Sequence, residues 1–381
     1  MNNLHSPTNF LLIICLLIFS VVLCKVLIRL VIKMVSHYNI LDQPDYRKLH
    51  DSPTPSMGGI AVISTMIIFQ VIISFYMNQI EWLFITGALV SFSVLGFIDD
   101  WKDLNAKLKL VFQISFSVLG YFLGFKLDYA FGLFGVNELP EIISFLLTIG
   151  IYILLINAYN LIDGIDQLAG GIIAINFGVF FVFFSILGQF AYVLISVVGL
   201  GAILGFLKYN AHPAKIFMGD SGSLPLGMIM SLFTFKVISL LHGSPSAIES
   251  SQWILPILVA MNFIPFFDTL RVFIIRISKG HSPFIGDRNH LHHLLLKNNL
   301  GHIKGALFIH SAHVFIILCL LLIAPYCPLF INLLVVLFLV IIAFEYNTVM
   351  RMKIKNKLKS TLNKEESIYL KSNKLLNTLN R

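Results

Sequence analysis

The chain has 381 residues, of which 57% are hydrophobic and only 12% are charged, and its mean hydropathy is +0.86. This composition excludes an ordinary soluble globular protein and predicts a polytopic membrane protein. The net charge of +8 is unevenly distributed, so it indicates membrane topology before it indicates an acidic partner.

The first apolar segment covers residues 10–35 and follows a stretch that contains no Lys or Arg. It is too long for a signal-peptide core and lacks the preceding positive region, so we predict a retained helix that starts outside the cell. The four cysteines show neither metal-ligand spacing nor a disulfide framework, and we expect buried thiols.

Ten further apolar segments follow, each close to the roughly 20 residues that a helix needs to cross a bilayer. They cover residues 58–78, 82–98, 109–125, 142–162, 168–187, 190–207, 223–241, 252–276, 305–324 and 329–350. The predicted fold is therefore all-α, with eleven transmembrane helices. We expect a transmembrane catalytic domain over residues 1–350 and a basic cytoplasmic tail over 351–381.

The distribution of basic residues predicts the orientation of this bundle. If the helices alternate from an outside start, all but two of the 27 Lys and Arg residues fall on the inner side, the exceptions being Lys126 and Lys236. The positive-inside rule then places the amino terminus outside and the carboxyl terminus in the cytoplasm. Outer acids such as Glu81 are expected in loops, without companions.

Adjacent carboxylates, Asp99 and Asp100, end the third predicted helix. Such a pair can hold magnesium or accept a proton beside a phosphate. Neighbouring residues on a helix diverge by about 100°, so the two acids can take different roles. A solvated helix end is the alternative explanation for this pair alone.

A row of amides and carboxylates, Asn157, Asn160, Asp163 and Asp166, closes the fifth predicted helix. Polar groups at membrane depth are costly, so they indicate a functional site unless they merely end the helix among the headgroups. Gly164 permits the helix to open there, and the freed acceptor oxygens suit a hard cation.

The loop of residues 217–223 reads Phe-Met-Gly-Asp-Ser-Gly-Ser and precedes another apolar helix. Its glycines let backbone N–H groups converge on an anion, and Ser223 is expected to cap the helix. Asp220 supplies a hard oxygen for a metal that bridges phosphates. An ordinary interhelical turn is the alternative interpretation.

The longest predicted cytoplasmic loop contains residues 287–293, Asp-Arg-Asn-His-Leu-His-His. Zinc binding and phosphate recognition are both open to such a segment, and the carboxylate-rich surroundings favour phosphate and magnesium over zinc. Asp268 and Arg271, three residues apart on the ninth helix, are expected to form a structural ion pair.

All these motifs fall on the predicted cytoplasmic side, and together they resemble one known family, the polyprenyl-phosphate N-acetylhexosamine-1-phosphate transferases of glycosyltransferase family 4. The resemblance runs from about residue 40 to residue 300. The matching motifs are Gly58-Gly59, Leu95 to Asp100, Asn157-x-x-Asn160-x-x-Asp163-Gly164-x-Asp166, Phe217 to Ser223 and Asp287 to His293. Within the family, Ser282-Pro283-Phe284 and the histidine loop resemble the branch that uses UDP-N-acetylglucosamine.

The resemblance implies a multi-pass enzyme of the bacterial plasma membrane with a cytoplasmic active site. It implies transfer of a sugar-1-phosphate, most simply N-acetylglucosamine-1-phosphate, from a UDP-sugar to undecaprenyl phosphate with release of UMP. Magnesium is the implied cofactor, with Mn²⁺ as a substitute. Membrane lipids are expected partners and nucleic acid is not. The oligomeric state is left open, with a homodimer as one candidate.

The resemblance also assigns roles to residues of this chain. The carboxylates with catalytic roles are Asp99, Asp100, Asp163 and Asp166, and the metal ligands are Asp220 and Asp100. The substrate-binding residues are Asn157, Asn160, Asn210, Phe217, Lys48, Arg288, His290, His292 and His293, with Phe217 stacking on the uracil. One departure is Gln167, which stands where the family usually has Gly, so the turn after Asp166 is expected to differ.

Two mechanisms and two other functional classes remain open from the sequence. The lipid phosphate attacks the β-phosphorus directly, with Asp99 as the candidate base, or Asp99 or Asp100 first forms a covalent intermediate. The alternatives within the family are other UDP-N-acetylhexosamines, including the UDP-muramyl-pentapeptide. An ion-coupled transporter is the rival class, although no internal repeat is visible and the acids lie at helix ends on one side. An inactive scaffold is the third functional class, after the transferase and the transporter.

Overall fold

The computed structural model describes residues 7–38, 41–42, 53–133, 135–242, 245–280, 290, 291, 295 and 301–339. Most of these residues lie in α-helices. The helices are α1 (Pro7–His37), α2 (Gly59–Met77), α3 (Ile80–Lys102), α4 (Ala106–Phe122), α5 (Glu141–Leu161), α6 (Leu168–Ile186), α7 (Phe190–Asn210), α8 (Asp220–His242), α9 (Pro245–Ser278), α10 (Gly301–Ile323) and α11 (Leu329–Leu339). A 3₁₀ turn, Ala324–Tyr326, joins α10 to α11.

Two short antiparallel hairpins complete the described structure. β1 (Leu41–Asp42) pairs with β2 (Thr54–Pro55), and β3 (Tyr129–Leu133) pairs with β4 (Val136–Glu138). They lie between helices and add no layer to the bundle, so the predicted all-α polytopic fold is confirmed.

Within the described residues, every predicted apolar segment coincides with a helix. Among the described residues, nine helices, α1 to α3 and α5 to α10, are long and apolar enough to cross a membrane. α4 has 17 residues and is shorter than the other spans. Residues 340–350, the second half of the last predicted segment, and the tail 351–381 lie outside the described residues, so the boundary between them stays a prediction.

α8 lies at the centre of the bundle. It packs against α3 and α5 and also contacts α2, α6 and α9, and nearly all its side chains are buried. Large apolar side chains on the outer helices are instead exposed, among them Phe10, Phe75, Phe122 and Ile142. An apolar belt around a buried centre is the arrangement expected of helices that face lipid.

Two glycines let α2 and α3 approach the start of α8 at backbone distance. A Cβ at Gly59 would lie 2.1 Å from the Cα of Gly222, and a Cβ at Gly96 would lie 2.1 Å from the carbonyl oxygen of Asp220. A real side chain atom cannot occupy either position. The glycines therefore determine how closely these helix ends converge.

The expectation that the outer acids have no companions is wrong for Asp128, which pairs with Lys126 at 3.3 Å, and for Glu81. The third helix begins at Ile80, earlier than predicted, so Glu81 lies in its first turn. Its carboxylate pairs with Lys236 of α8 at 2.8 Å and accepts a hydrogen bond from the hydroxyl of Tyr192 on α7. The ion pair and the hydrogen bond thus tie three helices together at the end of the bundle opposite the acidic motifs.

A chain of buried polar side chains crosses the middle of the bundle. His313 of α10 bonds Asn176 of α6 at 2.9 Å, and Asn176 donates to the hydroxyl of Tyr159 at 2.6 Å. Tyr159 donates to Asn262 of α9 at 2.9 Å, and Asn262 donates to Thr234 of α8 at 3.1 Å. Pairing is needed here because an unsatisfied polar group inside a membrane bundle is costly.

Candidate functional site

The predicted acidic residues gather at one end of the bundle, where α3 and α5 end and α8 begins. α5 ends at Leu161, so Asp163 and Asp166 lie in the turn that leads to α6, as the glycine between them allows. Asn160, in the last turn of α5, donates hydrogen bonds to Oδ1 of Asp220 and to Oγ of Ser223, both at 2.8 Å. The amide therefore holds two motifs together.

The two adjacent carboxylates of α3 have different partners. Asp99 accepts a hydrogen bond from the backbone N–H of Leu104 at 2.8 Å and pairs with Nζ of Lys109 on α4 at 2.6 Å. Asp100 accepts from the backbone N–H groups of Asp220 and Ser221, at 2.8 and 3.0 Å. Their divergence on the helix directs the two carboxylates at different partners, and the separate chemical roles of the two acids stay a prediction.

Asp100 caps α8 from another helix. The start of a helix carries unpaired N–H groups and a partial positive charge. Here the carboxylate of Asp100 accepts hydrogen bonds from two of these N–H groups, and its negative charge lies beside the partial positive charge. Ser223, expected as the cap, lies three residues inside α8 and accepts from Asn160 instead. Pro225 cannot donate to the carbonyl of Ser221, and the hydroxyl of Ser93 on α3 bonds that oxygen at 3.4 Å.

The loop before α8 is held by the segment that precedes α2. The N–H groups of Gly58 and Gly59 donate to the carbonyls of Phe217 and Met218, at 2.7 and 2.8 Å. Gly219 has a φ of +73°, and its N–H donates to Asp163. The loop's N–H groups, expected to bind a phosphate, are therefore directed at the protein's own carboxylates. The side chain of Phe217 is partly exposed beside them.

Negative charge exceeds positive charge in this cluster. Asp99 and Asp220 lie within hydrogen-bonding distance of each other, and Asp100 and Asp163 are close enough to repel them. Among the described residues, Lys109 is the cation placed beside these carboxylates, at 2.6 Å from Asp99 and 3.8 Å from Asp220. Burial, and then repulsion by Asp100 and Asp166, raise the pKa of Asp163 to about 7.

The donor set fits a magnesium ion. Crowded carboxylates that lack enough positive partners are stabilised by a divalent cation, and hard oxygen donors at a helix end suit Mg²⁺. Asp220 is the best-placed ligand, because among the described residues its Oδ2 has a single cation near it, Lys109 at 3.8 Å. The oxygens of Asp99 opposite, in contrast, already accept from Leu104 and Lys109. Asp100, the second ligand assigned by resemblance, already uses both oxygens to cap α8, so its contribution is through its remaining lone pairs.

Asp166 faces a different set of partners. Its carboxylate lies 2.6 Å from Nδ1 of His212, in the loop after α7, and 3.6 Å from Nδ1 of His302, at the start of α10. Burial alone would raise the pKa of Asp166, but hydrogen bonds with His302 and His212 outweigh it and hold the pKa below its usual range. The sequence analysis missed both histidines, because neither belongs to a motif.

Asn210 and Gln167 fix the turn after Asp166. The carbonyl oxygen of the Asn210 side chain accepts the N–H of Gln167 at 2.7 Å, and its amide donates to Ile216 at 3.0 Å. Gln167 has a φ of +65°, which glycine adopts with less strain than other residues. The turn after Asp166, expected to differ at Gln167, therefore contains a glutamine in the left-handed conformation, and Asn210 holds its backbone N–H.

The amide of Asn157 is directed at α4. It exchanges hydrogen bonds with Gln113, donating at 2.8 Å and accepting at 3.5 Å. This pair ties α5 to α4 beside Lys109. Of the other assigned residues, Lys48, Arg288, His292 and His293 lie outside the described residues, so their roles stay predictions.

His290, the described member of the histidine loop, is held by α9. Its Nδ1 lies 3.0 Å from Asp268, which also accepts the N–H of Leu291 at 2.9 Å. Nε2 of His290 lies 3.4 Å from the guanidinium of Arg276. Asp268 does pair with Arg271, at 3.0 Å, as predicted, but it also anchors the loop.

We expect Asp268→Asn to loosen the histidine loop. Asparagine has one acceptor oxygen where Asp268 has two, so it cannot keep both the hydrogen bond from His290 and the one from Leu291 in the present geometry. A hydrogen bond to a charged group contributes about 1.5–3 kcal/mol, which corresponds to a fall in kcat/KM on the order of tenfold to hundredfold. Steady-state kinetics with the UDP-sugar that the resemblance implies measure this fall in kcat/KM, and KM is expected to rise.

The matched control is Asp128→Asn, which removes a partly exposed carboxylate paired with Lys126 beside the β3–β4 hairpin. Its kinetics should equal those of the wild type. Unchanged kinetics for Asp268→Asn would show that the loop needs no anchor on α9.

Comparison with known proteins gives consistent matches. Residues 82–238 match the model of the family described as glycosyl transferase family 4. The chain is 31% identical over 300 residues to the probable undecaprenyl-phosphate N-acetylglucosaminyl 1-phosphate transferase of Bacillus subtilis, covering 78% of this chain and 81% of the relative.

Two further relatives extend the comparison. The decaprenyl-phosphate N-acetylglucosaminephosphotransferase of Mycolicibacterium smegmatis is 32% identical over 292 residues, covering 70% of this chain and 71% of the relative. The phospho-N-acetylmuramoyl-pentapeptide-transferase of Bacillus subtilis is 31% identical over 263 residues, covering 63% and 80%. All three are transferases by name, and the residues matched by the family model include most of α3, all of α5 and the start of α8.

Proposed function

The chain belongs to glycosyl transferase family 4, a polyprenyl-phosphate N-acetylhexosamine-1-phosphate transferase family, and we propose that it transfers N-acetylglucosamine-1-phosphate from UDP-N-acetylglucosamine to undecaprenyl phosphate. UMP is the second product, and the lipid-linked sugar begins a cell-surface polysaccharide. The proposal places the enzyme in the bacterial plasma membrane with its acidic end towards the cytoplasm, in line with the positive-inside rule.

The observation that carries the proposal is the carboxylate cluster at one end of the bundle. Asp99, Asp100, Asp163 and Asp220 come from three separate parts of the chain, and Asn160 and Lys109 bridge them. A metal diphosphate needs such a set of hard oxygens beside a cation. The convergence supports phosphoryl transfer at this end, where a lipid phosphate and a water-soluble nucleotide can meet.

An apolar cavity supports a lipid acceptor. It has a volume of about 510 Å³ and lies between α5, α8, α9 and the β3–β4 hairpin. Its lining includes Ile151 and Leu155 on α5, and Leu258 and Phe266 on α9. Leu155 is six residues before the end of α5 at Leu161, about 9 Å along the helix, whereas the α8 lining, Phe235 and Ile238, lies towards the opposite end of the bundle. The cavity would therefore hold the distal part of a polyprenyl chain whose phosphate lies at the cluster.

The reaction is an in-line displacement. An oxygen of the lipid phosphate forms a bond with the β-phosphorus of the UDP-sugar, and the bond from that phosphorus to the UMP oxygen breaks. Magnesium, held by Asp220 with Asp99 and Asp100, would neutralise charge on the diphosphate. Lys109 adds positive charge beside Asp220, at 3.8 Å.

Proton transfer is assigned to Asp163 in place of Asp99. Asp99 is held by Lys109 and by the N–H of Leu104, which makes it a poor base. The pKa of Asp163, raised to about 7, suits a carboxylate that accepts a proton from a phosphate monoanion. Since the oxygens of Asp99 and Asp100 are engaged, their partners favour direct attack over a covalent aspartyl intermediate.

The choice of sugar rests on the relatives. Two relatives carry N-acetylglucosamine in their names: the Bacillus subtilis enzyme that matches over 300 residues and the Mycolicibacterium smegmatis enzyme that matches over 292. The muramoyl-pentapeptide enzyme matches over 263 residues. The longer matches favour N-acetylglucosamine. The muramyl-pentapeptide donor is the second candidate.

UMP release tests the proposal. Purified protein with Mg²⁺, undecaprenyl phosphate and UDP-N-acetylglucosamine should release UMP, and the rate should fall to background when the lipid or Mg²⁺ is omitted. Parallel reactions with UDP-N-acetylgalactosamine and UDP-N-acetylmuramyl-pentapeptide identify the sugar. The proposal fails if no UDP-sugar yields UMP, and the sugar assignment alone fails if another donor is strongly preferred.

A further inference from the structure

We propose that Asp166, His212 and His302 form a binding site for a divalent transition metal of the zinc class, adjacent to the carboxylate cluster that suits magnesium but built from different ligands. The three residues come from the turn after α5, the loop after α7 and the start of α10. One ligand atom from each lies within 4.8 Å of the other two. This proposal does not depend on the reaction that the protein catalyses.

The geometry is close to that of a metal site. Oδ2 of Asp166 lies 2.6 Å from Nδ1 of His212, and Oδ1 lies 3.6 Å from Nδ1 of His302. The two imidazole rings stack with centroids 4.8 Å apart and an interplanar angle of 24°. Ligand atoms bound to one zinc ion at about 2.0–2.2 Å stand roughly 3.3 Å apart, so shifts of about 1 Å bring these three atoms onto one ion.

The ligand set selects the class of metal. Two imidazoles and one carboxylate favour Zn²⁺ and its transition-metal neighbours, whereas Mg²⁺ prefers oxygen ligands. The acidic cluster, built from carboxylates and an amide, has the opposite preference. The two sites should therefore discriminate between the two metals.

The three residues differ in solvent exposure, so the site has both a packed inner part and an opening through which an ion can enter. Asp166 is buried, and the side chain of His302 is 16% exposed, so the inner part of the site is firmly packed. The side chain of His212 is 41% exposed, which leaves an approach from solvent and room for water as a fourth ligand.

Binding would join three segments that are far apart in the chain. Asp166 and His212 flank α6 and α7, while His302 begins α10. A bound ion would fix the start of α10 against the turn that also carries Asp163. Occupancy should thus raise the thermal stability of the protein, because a ligand of the folded state stabilises it.

Metal analysis of the full-length protein tests the proposal. The protein is purified in detergent without a polyhistidine tag, stripped with a chelator, incubated with Zn²⁺ and dialysed, and zinc is counted by mass spectrometry. We expect about one Zn²⁺ per chain in excess Mg²⁺, and a rise in Tm. Co²⁺ should give the visible absorption of a four-coordinate ion.

His302→Phe keeps the stacked ring and removes the ligand, so Zn²⁺ affinity should fall at least about tenfold, the smallest loss seen when even a supporting residue of a metal site is replaced. His37→Phe, which replaces an exposed histidine at the end of α1, should bind as the wild type does. His302→Cys should retain the ion and add a sulfur-to-Co²⁺ charge-transfer band.

Three results would each overturn the proposal: no zinc retained by the wild type, equal affinity in His302→Phe, or Co²⁺ binding to His302→Cys without the sulfur band. The last result is independent of whether the phenylalanine variant folds well. An Asp166 that serves only as the hydrogen-bond partner of two histidines would produce the first.

Discussion

Asp220→Asn is expected to reduce UMP release by at least about 100-fold to 1,000-fold, the cost typical of removing one preorganised electrostatic group from an active site. The asparagine retains an oxygen that accepts from Asn160, so the shape of the site is kept. What is lost is the negative charge that faces Asp99 and the metal. Substrate turnover by the purified variant measures the effect.

Stability separates this loss from misfolding. Asp220 lies within hydrogen-bonding distance of Asp99 and is repelled by Asp99 and Asp100, so a neutral side chain there removes repulsion. The Tm of Asp220→Asn in the absence of metal should therefore equal or exceed that of the wild type. Asp128 pairs with Lys126 and lies 92 positions before Asp220 in the chain, so Asp128→Asn should change neither the Tm nor the rate of UMP release. Turnover near the wild-type rate in Asp220→Asn would remove this residue from the reaction.

Gly96→Ala is expected to inactivate the protein by separating two helices. The added Cβ would lie 2.1 Å from the carbonyl oxygen of Asp220 and 2.5 Å from the nitrogen of Ser221, and backbone atoms cannot rotate away. α3 and α8 must move apart, which pulls Asp100 off the two N–H groups that it caps. Overpacking of this kind costs about 1–3 kcal/mol, and we expect a fall in activity of at least about 100-fold as the carboxylates lose their register.

Gly87→Ala is the matched control on the same helix. Nothing lies within 4 Å of its Cβ position, so the extra methyl group meets no atom of the protein. Alanine is a better helix former than glycine by about 1 kcal/mol, so this variant should be as stable as the wild type or more so. Activity and Tm measured for both variants decide the matter. Similar behaviour of the two would mean that the close approach of α3 and α8 does not position the site.

The sequence determined the fold class and the composition of the site. Apolar segments of bilayer length are sufficient to place membrane helices, because the cost of exposing backbone polar groups to lipid leaves few alternatives. The acids at the ends of α3 and α5 and before α8 were identifiable because charged groups at membrane depth are rare without a reason. Their common end of the bundle followed from counting helices.

Only the tertiary structure decided what each acid contacts. Asp99 and Asp100 look alike in sequence, yet one pairs with Lys109 and the other caps α8, because a rotation of about 100° directs them to different helices. The sequence analysis counted Lys109 only as a charge for topology, and nothing local indicates that α4 brings it to Asp99. His212 and His302 are 90 positions apart and meet at Asp166 only because α10 packs against α6 and α9. Helix length and burial depend on local composition, so the sequence predicted them. Contacts between distant segments depend on how the helices pack, so the sequence did not predict them.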